Sequence, residues 1–433
     1  MKGRLARRFL TLLLAGGLVA AACSSSLKVV PTPPGTPAAS TASAEPTSPP
    51  PSWSAIPAGS DELAVYDEIR AQVEELRRLP SAPAGEPVLL DEAGVRDWMR
   101  KAYENVDHEA LAIESRLYAH LGLLSDGASI EQLSLDLSAG QAIGFYDTDT
   151  KKLYLLSQSG GVGPMQRLTY SHEYTHALQD QQFDLTKLGM EDAGQSDRSL
   201  ARLSLAEGDA TLAMTQWAQA HMSIADLLAI SVSEESSEQT AQLEAAPAIL
   251  RESLLFPYTE GLYFVRSVYA PGGWSAVDKV YSDPPNSSSQ ILHPELYRQG
   301  FQPAMLVLSP VPDEAGPGWQ LAYQDTMGEF QLRVWLAGEK PTTSATKAAA
   351  DAVATWGGDR IGLYEGSDGA WAVVLRTTWR SAAGRTAFEE AVNQRLEGLK
   401  GVSSICGDGV QASVVIASSE KVLAAYQTCQ PMD

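Results

Sequence analysis

The stretch PMQRLTYSHEYTHALQDQQF, residues 164–183, decides how the chain is read. Gly160-Gly161-Val162-Gly163 breaks the chain just before it, and Pro164 suits a first helical turn, where the backbone N–H has no partner to lose. The pattern predicts a helix over 165–183. Residues four apart share one face of a helix, so His172 and His176 can turn both imidazoles toward one cation about 2 Å away. Glu173 is one position on, about 100° around the axis. It is poorly placed to ligate beside them but can reach a water at the ion, where a general base belongs. The competing reading is a pair of histidines hydrogen-bonded in a helical core.

A third protein ligand is needed, ordinarily from another helix. Residues 199–222 predict one, with Leu200, Leu203, Ala210, Met214 and Trp217 on its buried stripe. Glu207 falls in that stripe, and a carboxylate facing a core is costly unless it is paired or metal-bound. Glu207 is therefore the expected third ligand. The alternative is a buried ion pair with Arg198 or Arg202. Gly208 beside it permits close approach of a neighbouring helix. Asp209 and Asp180 either orient a ligand histidine from behind or are solvated. Two residues can donate to a developing oxyanion, Tyr258 and His293, with His293 favoured because Pro294 stiffens its surroundings. His108, His120 and His221 stand outside this group.

The rest of the chain gives the setting. Lys2, Arg4, Arg7 and Arg8 precede an apolar run, Phe9 to Val19, too short to span a bilayer comfortably, so residues 1–22 read as a signal peptide. Leu18-Val19-Ala20-Ala21-Ala22-Cys23 resembles a bacterial lipoprotein cleavage site, with Ala20 where that pattern commonly has Leu. The resemblance implies cleavage before Cys23, acylation of its thiol, and an exported chain held on the membrane by that lipid. Residues 24–59, rich in Ser, Thr, Pro and Ala, read as a flexible spacer. The formal net charge of −21 becomes about −25 once the four leader cations are removed. So acidic a surface argues against nucleic acid as a partner and against electrostatic docking on anionic lipid. Cys406 and Cys429 remain as an even pair in an oxidising compartment, where a disulfide contributes roughly 3 kcal/mol. The alternative is two buried thiols.

Helical periodicity begins at Asp61, with further helices from Asp91 and over 109–124. Gly140 to Ser157 alternates around a turn at 147–150, a β-hairpin signal, and its edge can pair with an extended peptide. Helices are expected at 244–255 and 258–270. Past residue 300 helices near 325–337 and 343–355 precede a hairpin, 360–365 with 371–378. A helix near 382–399, a strand at 412–417 and a short last helix follow.

His172-Glu173-x-x-His176 followed by Glu207-Gly208-Asp209-Ala210 resembles the gluzincins, zinc peptidases whose third ligand is a Glu on a later helix. The stretches 172–181, 205–210 and 290–295 are similar to a group of exported bacterial proteins regarded as metallopeptidases, with a fainter likeness at 356–360. The thermolysin-like branch carries Asp four residues after the ligand Glu; here Thr211 stands there. The resemblance implies zinc held by His172, His176 and Glu207, with Glu173 as base, acting on peptide or protein substrates. The expected fold is mainly α with a β-hairpin, a zincin-like domain over 60–300, followed by a smaller α+β domain over 301–433. Two rivals belong to other classes. One is a surface lipoprotein with a structural or vestigial metal site that binds a partner. The other is a transporter's substrate-binding lipoprotein, which gives no reason for the motif.

Overall fold

A computed structural model describes residues 59–426 except 84, 85, 105, 142, 158–160 and 233. The expected signal peptide, the spacer, Cys23 and Cys429 lie outside the described residues. The disulfide expected between Cys406 and Cys429 is therefore not placed; Cys406 itself is half-buried on a strand, β7 below.

The fold mixes α and β and is mainly helical. Helix α1 (Ser60–Arg77) and the short strand β1 (Val88–Leu90) lead into α2 (Glu92–Tyr103), α3 (His108–His120) and α4 (Ile130–Gln141). Asp91 and Asp107 cap α2 and α3 by accepting the backbone N–H of Gly94 and Ala110. Strands β2 (Gly144–Asp147) and β3 (Lys152–Leu156) form the expected hairpin, and Lys151 takes a positive φ of 55° in its turn. The sequence pattern did not anticipate β1, which adds in parallel to β3 and leaves β2 as an outer strand. Helix α5 (Pro164–Phe183) packs on this sheet, close enough that a Cβ on Gly144 would strike Thr169.

Helix α6 (Ser196–His221) packs against α5, and the long helix α9 (Ala248–Val280) packs against α6; α7 (Ile224–Ser231) and α8 (Glu234–Ala245) lie between α6 and α9 in the sequence. The two helices expected at 244–255 and 258–270 are one. Pro257 and Pro271 both sit inside α9, which kinks only at Gly273 (φ 61°). Packing against α6 holds the helix together across Pro257 despite the lost backbone bond.

After α10 (Ser288–Leu292) and α11 (Pro294–Arg298) come β4 (Gln320–Asp325), α12 (Gly328–Ala337), α13 (Thr343–Val353), β5 (Trp356–Glu365), β6 (Trp371–Trp379), α14 (Ala382–Leu396), β7 (Val402–Asp408), β8 (Gln411–Ala417) and α15 (Glu420–Tyr426). The five strands are antiparallel in the order β4-β5-β6-β8-β7. Ile361, Leu363, Val373, Leu375 and Val414 face the helices; Tyr364, Val374 and Val415 alternate to the other face, under α15.

The boundary expected at residue 300 marks a change of element type but no break in packing. One buried cluster runs from Leu117 and Leu205 through Phe264 and Trp335 to Leu375 and Val414. Trp335 Nε1 donates to the Leu121 carbonyl at 3.0 Å, and Arg116 pairs with Glu365 through two bonds of 2.6 and 2.9 Å. The segment Trp356-Gly357-Gly358-Asp359-Arg360 works at this seam. Asp359 accepts the N–H groups of Met327 and Gly328 at the start of α12, and Arg360 donates to the Gly194 carbonyl before α6.

Candidate metal centre

Helix α5 is buried almost all round from Met165 to Asp180, so its polar residues sit inside the protein and need partners there. Helix α6 is similarly buried from Ser204 to Met214. Gly208 allows that depth: a Cβ on it would collide with the Gly261 carbonyl of α9, and one on Gly261 would collide with Ser204. The close approach expected at Gly208 is thus made by α6 against α9.

These helices bring His172, His176 and Glu207 together, fully buried. His172 Nε2 lies 3.0 Å from His176 Nε2, and the Glu207 Oε2 lies 3.1 and 3.3 Å from them. Ligands about 2.0 Å from a tetrahedral ion lie about 3.3 Å apart, so this triangle fits a small cation. Glu207 Oε1 and His172 Nδ1 have no hydrogen-bond partner, and Glu173 has no side-chain partner, only the Tyr146 backbone amide near it. That is an unusual concentration of unsatisfied buried polar atoms.

The electrostatics agree. Burial works to raise the Glu207 carboxyl, but the two histidines outweigh it and hold it ionised, as a ligand must be. Burial pushes His172 down to about 4, helped by His176, so it is neutral. Burial works against charge on His176 as well, yet Glu207 overrides it and raises the ring's pKa. One buried anion thus calls for one positive partner, a proton on His176 or a metal ion. Burial pushes Glu173 up to about 8, against the pull of His176 and of the Tyr146 backbone amide on β2. With both glutamates ionised, a divalent cation would leave the site neutral.

A residue the sequence reading missed holds the two ligand helices in register. His176 Nδ1 donates to Gln179 Oε1 at 2.8 Å, and Gln179 Nε2 donates to the Ala206 carbonyl at 3.0 Å. With Nδ1 carrying the proton, the His176 Nε2 lone pair is free for an ion. Gln179 is three residues from His176, a same-face spacing that was readable.

Other expected residues sit differently. Asp209 is buried, not solvated, and touches no ligand histidine. It accepts from Arg77 Nε and Nη2 at 2.8 and 3.0 Å and from the Tyr281 hydroxyl at 2.8 Å. Asp180 is buried too, bound by the Tyr146 hydroxyl (2.8 Å), Lys151 (2.6 Å) and the Leu185 N–H, which ties the hairpin to α5. Neither acid orients His172 or His176 by a hydrogen bond; each is claimed by a partner distant in sequence. Arg198 pairs with Asp192, and Arg202 donates to the Leu188 carbonyl and to Asn286, so the alternative ion pair with Glu207 does not form.

Of the two oxyanion candidates, only Tyr258 comes near. Its ring centre is 6.1 Å from that of His172, and with Glu207 it borders a cavity of about 290 Å³ lined by Met99, Leu111, Ile130, Leu203 and Leu254. His293 is occupied at the seam: its Nε2 lies 2.9 Å from Glu329 Oε1, beside Arg333. Glu329, 36 residues away in sequence, takes the ring that Pro294 was expected to hold for substrate.

A family model described only as a domain of unknown function, DUF8575, matches residues 320–427. That span contains none of His172, Glu173, His176 or Glu207. No curated protein and no solved structure matches the chain.

Proposed function

We propose that the chain is a zinc-dependent, gluzincin-type peptidase of zincin-like fold, exported and held on the membrane by a lipid on Cys23, that hydrolyses peptide bonds. One observation carries the reading: three buried ligand atoms 3.0–3.3 Å apart beside a buried carboxylate, Glu173, that no side chain pairs with and only the Tyr146 backbone amide approaches. A zinc ion on His172, His176 and Glu207 would supply Lewis acidity, lowering the pKa of a water and polarising a carbonyl. Glu173 takes the proton from the attacking water and later delivers it to the leaving amine. Tyr258 stands on the cavity side and is the group placed to steady a substrate carbonyl. Gln179 keeps His176 in the ligating tautomer. The apolar cavity beside Glu207 takes an apolar side chain next to the cleaved bond. Strand β2, outermost in its sheet and with its Tyr146 amide close to Glu173, offers an edge to an extended peptide.

The test is metal content together with hydrolysis of a peptide library, with and without chelator, for wild type and Glu173→Gln. The expectation is one zinc per chain in both proteins and a loss of turnover of about 10²–10⁴-fold in the variant. Zinc retained with hydrolysis unchanged in Glu173→Gln would overturn the mechanism. Zinc retained with no hydrolysis in either protein would favour a structural site.

A further inference from the structure

Helix α7 presents an apolar face to solvent. Ile224, Leu228 and Val232 are 79%, 59% and 77% exposed, spaced four residues apart. Ala225, Ala229 and Ser231 fill the exposed surface between them, and the one charged residue of α7, Asp226, is turned to Arg167. The opposite face is anchored: Ile230 is buried in one cluster with Tyr66 and Ile69 of α1, and Asp226 pairs with Arg167 of α5 at 2.7 Å. The exposed stripe is therefore held in place by a rigid scaffold. Two large aliphatic side chains on a short helix and a third on its C-cap residue, in a chain of net charge −21, form a patch of the kind that marks an interaction site.

Its position says what covers it. Arg167 lies about 5 Å along α5 from Pro164. The start of α1 lies at the same end, since Gly161, just ahead of α5, faces the Glu62 carboxylate. The described chain begins at Gly59, so the 36 residues from Cys23 to Ala58 join the fold beside α7.

We infer that α7 is a membrane foot: Ile224, Leu228 and Val232 insert into the interfacial layer of the bilayer to which Cys23 is tethered. The proposal rests on the export and acylation reading, not on the metal centre. An uncharged foot suits this protein, because an acidic surface gains nothing from anionic headgroups and contact must come from apolar burial. Such a foot fixes which side of the molecule faces the lipid.

Residues 1–23 make none of the contacts described, so the test uses residues 24–433, free of signal and acyl chain. Flotation with phosphatidylcholine vesicles, titrated to 10 mM lipid, should show half-maximal binding at low-millimolar lipid. Ile224→Ser/Leu228→Ser/Val232→Ser should bind at least tenfold more weakly with an unchanged melting temperature, since the replaced side chains are exposed. Equal partitioning of the two proteins, or none by either, would overturn the proposal. So would a wild-type dimer in sedimentation that the triple variant converts to monomer, because the face would then belong to a second copy. Acylation of Cys23 is read separately from the mass of the exported protein, so failure of the tether is distinguished from failure of the foot.

Discussion

Gln179 touches both ligand helices with one amide, accepting from His176 and donating to the carbonyl just before Glu207. Removing it frees the His176 ring to turn and loosens α6 against α5. Gln179→Ala should weaken zinc binding about 10- to 100-fold, measured by competition with a chromogenic chelator. Gln179→Glu, which keeps the acceptor but loses the donor, should fall between. At this scale the candidate ligands were legible, and the partners of the acids around them were not. His172 and His176 announce themselves by spacing, and Glu207 by being an acid in an apolar stripe. Gln179 offers only its same-face spacing from His176, and a glutamine on a helix is ordinarily at the surface; the packing of α6 buries it. Asp209 and Asp180 were misjudged for the same reason. Their partners, Arg77 and the Tyr146–Lys151 pair, are far off in sequence.

The helices meet through two devices, a missing side chain and a buried charge. Gly208 faces the Gly261 backbone, leaving no room for a methyl group between α6 and α9. Gly208→Ala should destabilise the fold by about 1–3 kcal/mol in urea unfolding and displace Glu207, so that zinc affinity falls with it. Arg77 ends α1 fully buried, bound to Asp209 of α6 and to Asp278 of α9, with its guanidinium 4.5 Å from the Trp274 ring. Arg77→Ala strands the Asp209 carboxylate and should cost about 3–5 kcal/mol by the same measurement. Arg77→Ala/Asp209→Ala should recover part of that loss, since no charge is left alone. Helix α5 could be read from the break and Pro164 at its start, and α6 from its stripe of Leu200, Leu203, Ala210, Met214 and Trp217. Strand β1 is too short to show a period, and β7, reading Val-Ser-Ser-Ile-Cys-Gly-Asp, has the composition of a loop. Both exist because a neighbouring strand supplies their hydrogen bonds. The prolines of α9 argued for two helices, and contact with α6 decided for one.

Across the whole molecule, the helical part and the five-stranded sheet share a core, and one histidine makes their contact sensitive to acid. His120, at the end of α3, stacks on Trp371 of β6 with ring centres 3.6 Å apart. Burial lowers its pKa to about 4, against the pull of Glu365 and Asp126 and with the help of Arg116. The fold favours the neutral ring, so its contribution is fully present above the unfolded value near 6.5 and is lost as pH falls toward 4. His120→Phe keeps the stacking and cannot be protonated. Its melting temperature should therefore fall less than that of wild type between pH 7 and pH 4.5, and equal falls would show that His120 takes no part. Sequence alone determined the helical character, the hairpin and the three candidate ligands, because local periodicity and residue chemistry operate over a few neighbouring positions. Tertiary structure alone decided that Glu207 meets both imidazoles, that His293 is spent on Glu329, and that one core crosses residue 300. Those outcomes depend on which distant groups compete for each buried donor and acceptor, and no local pattern records that competition.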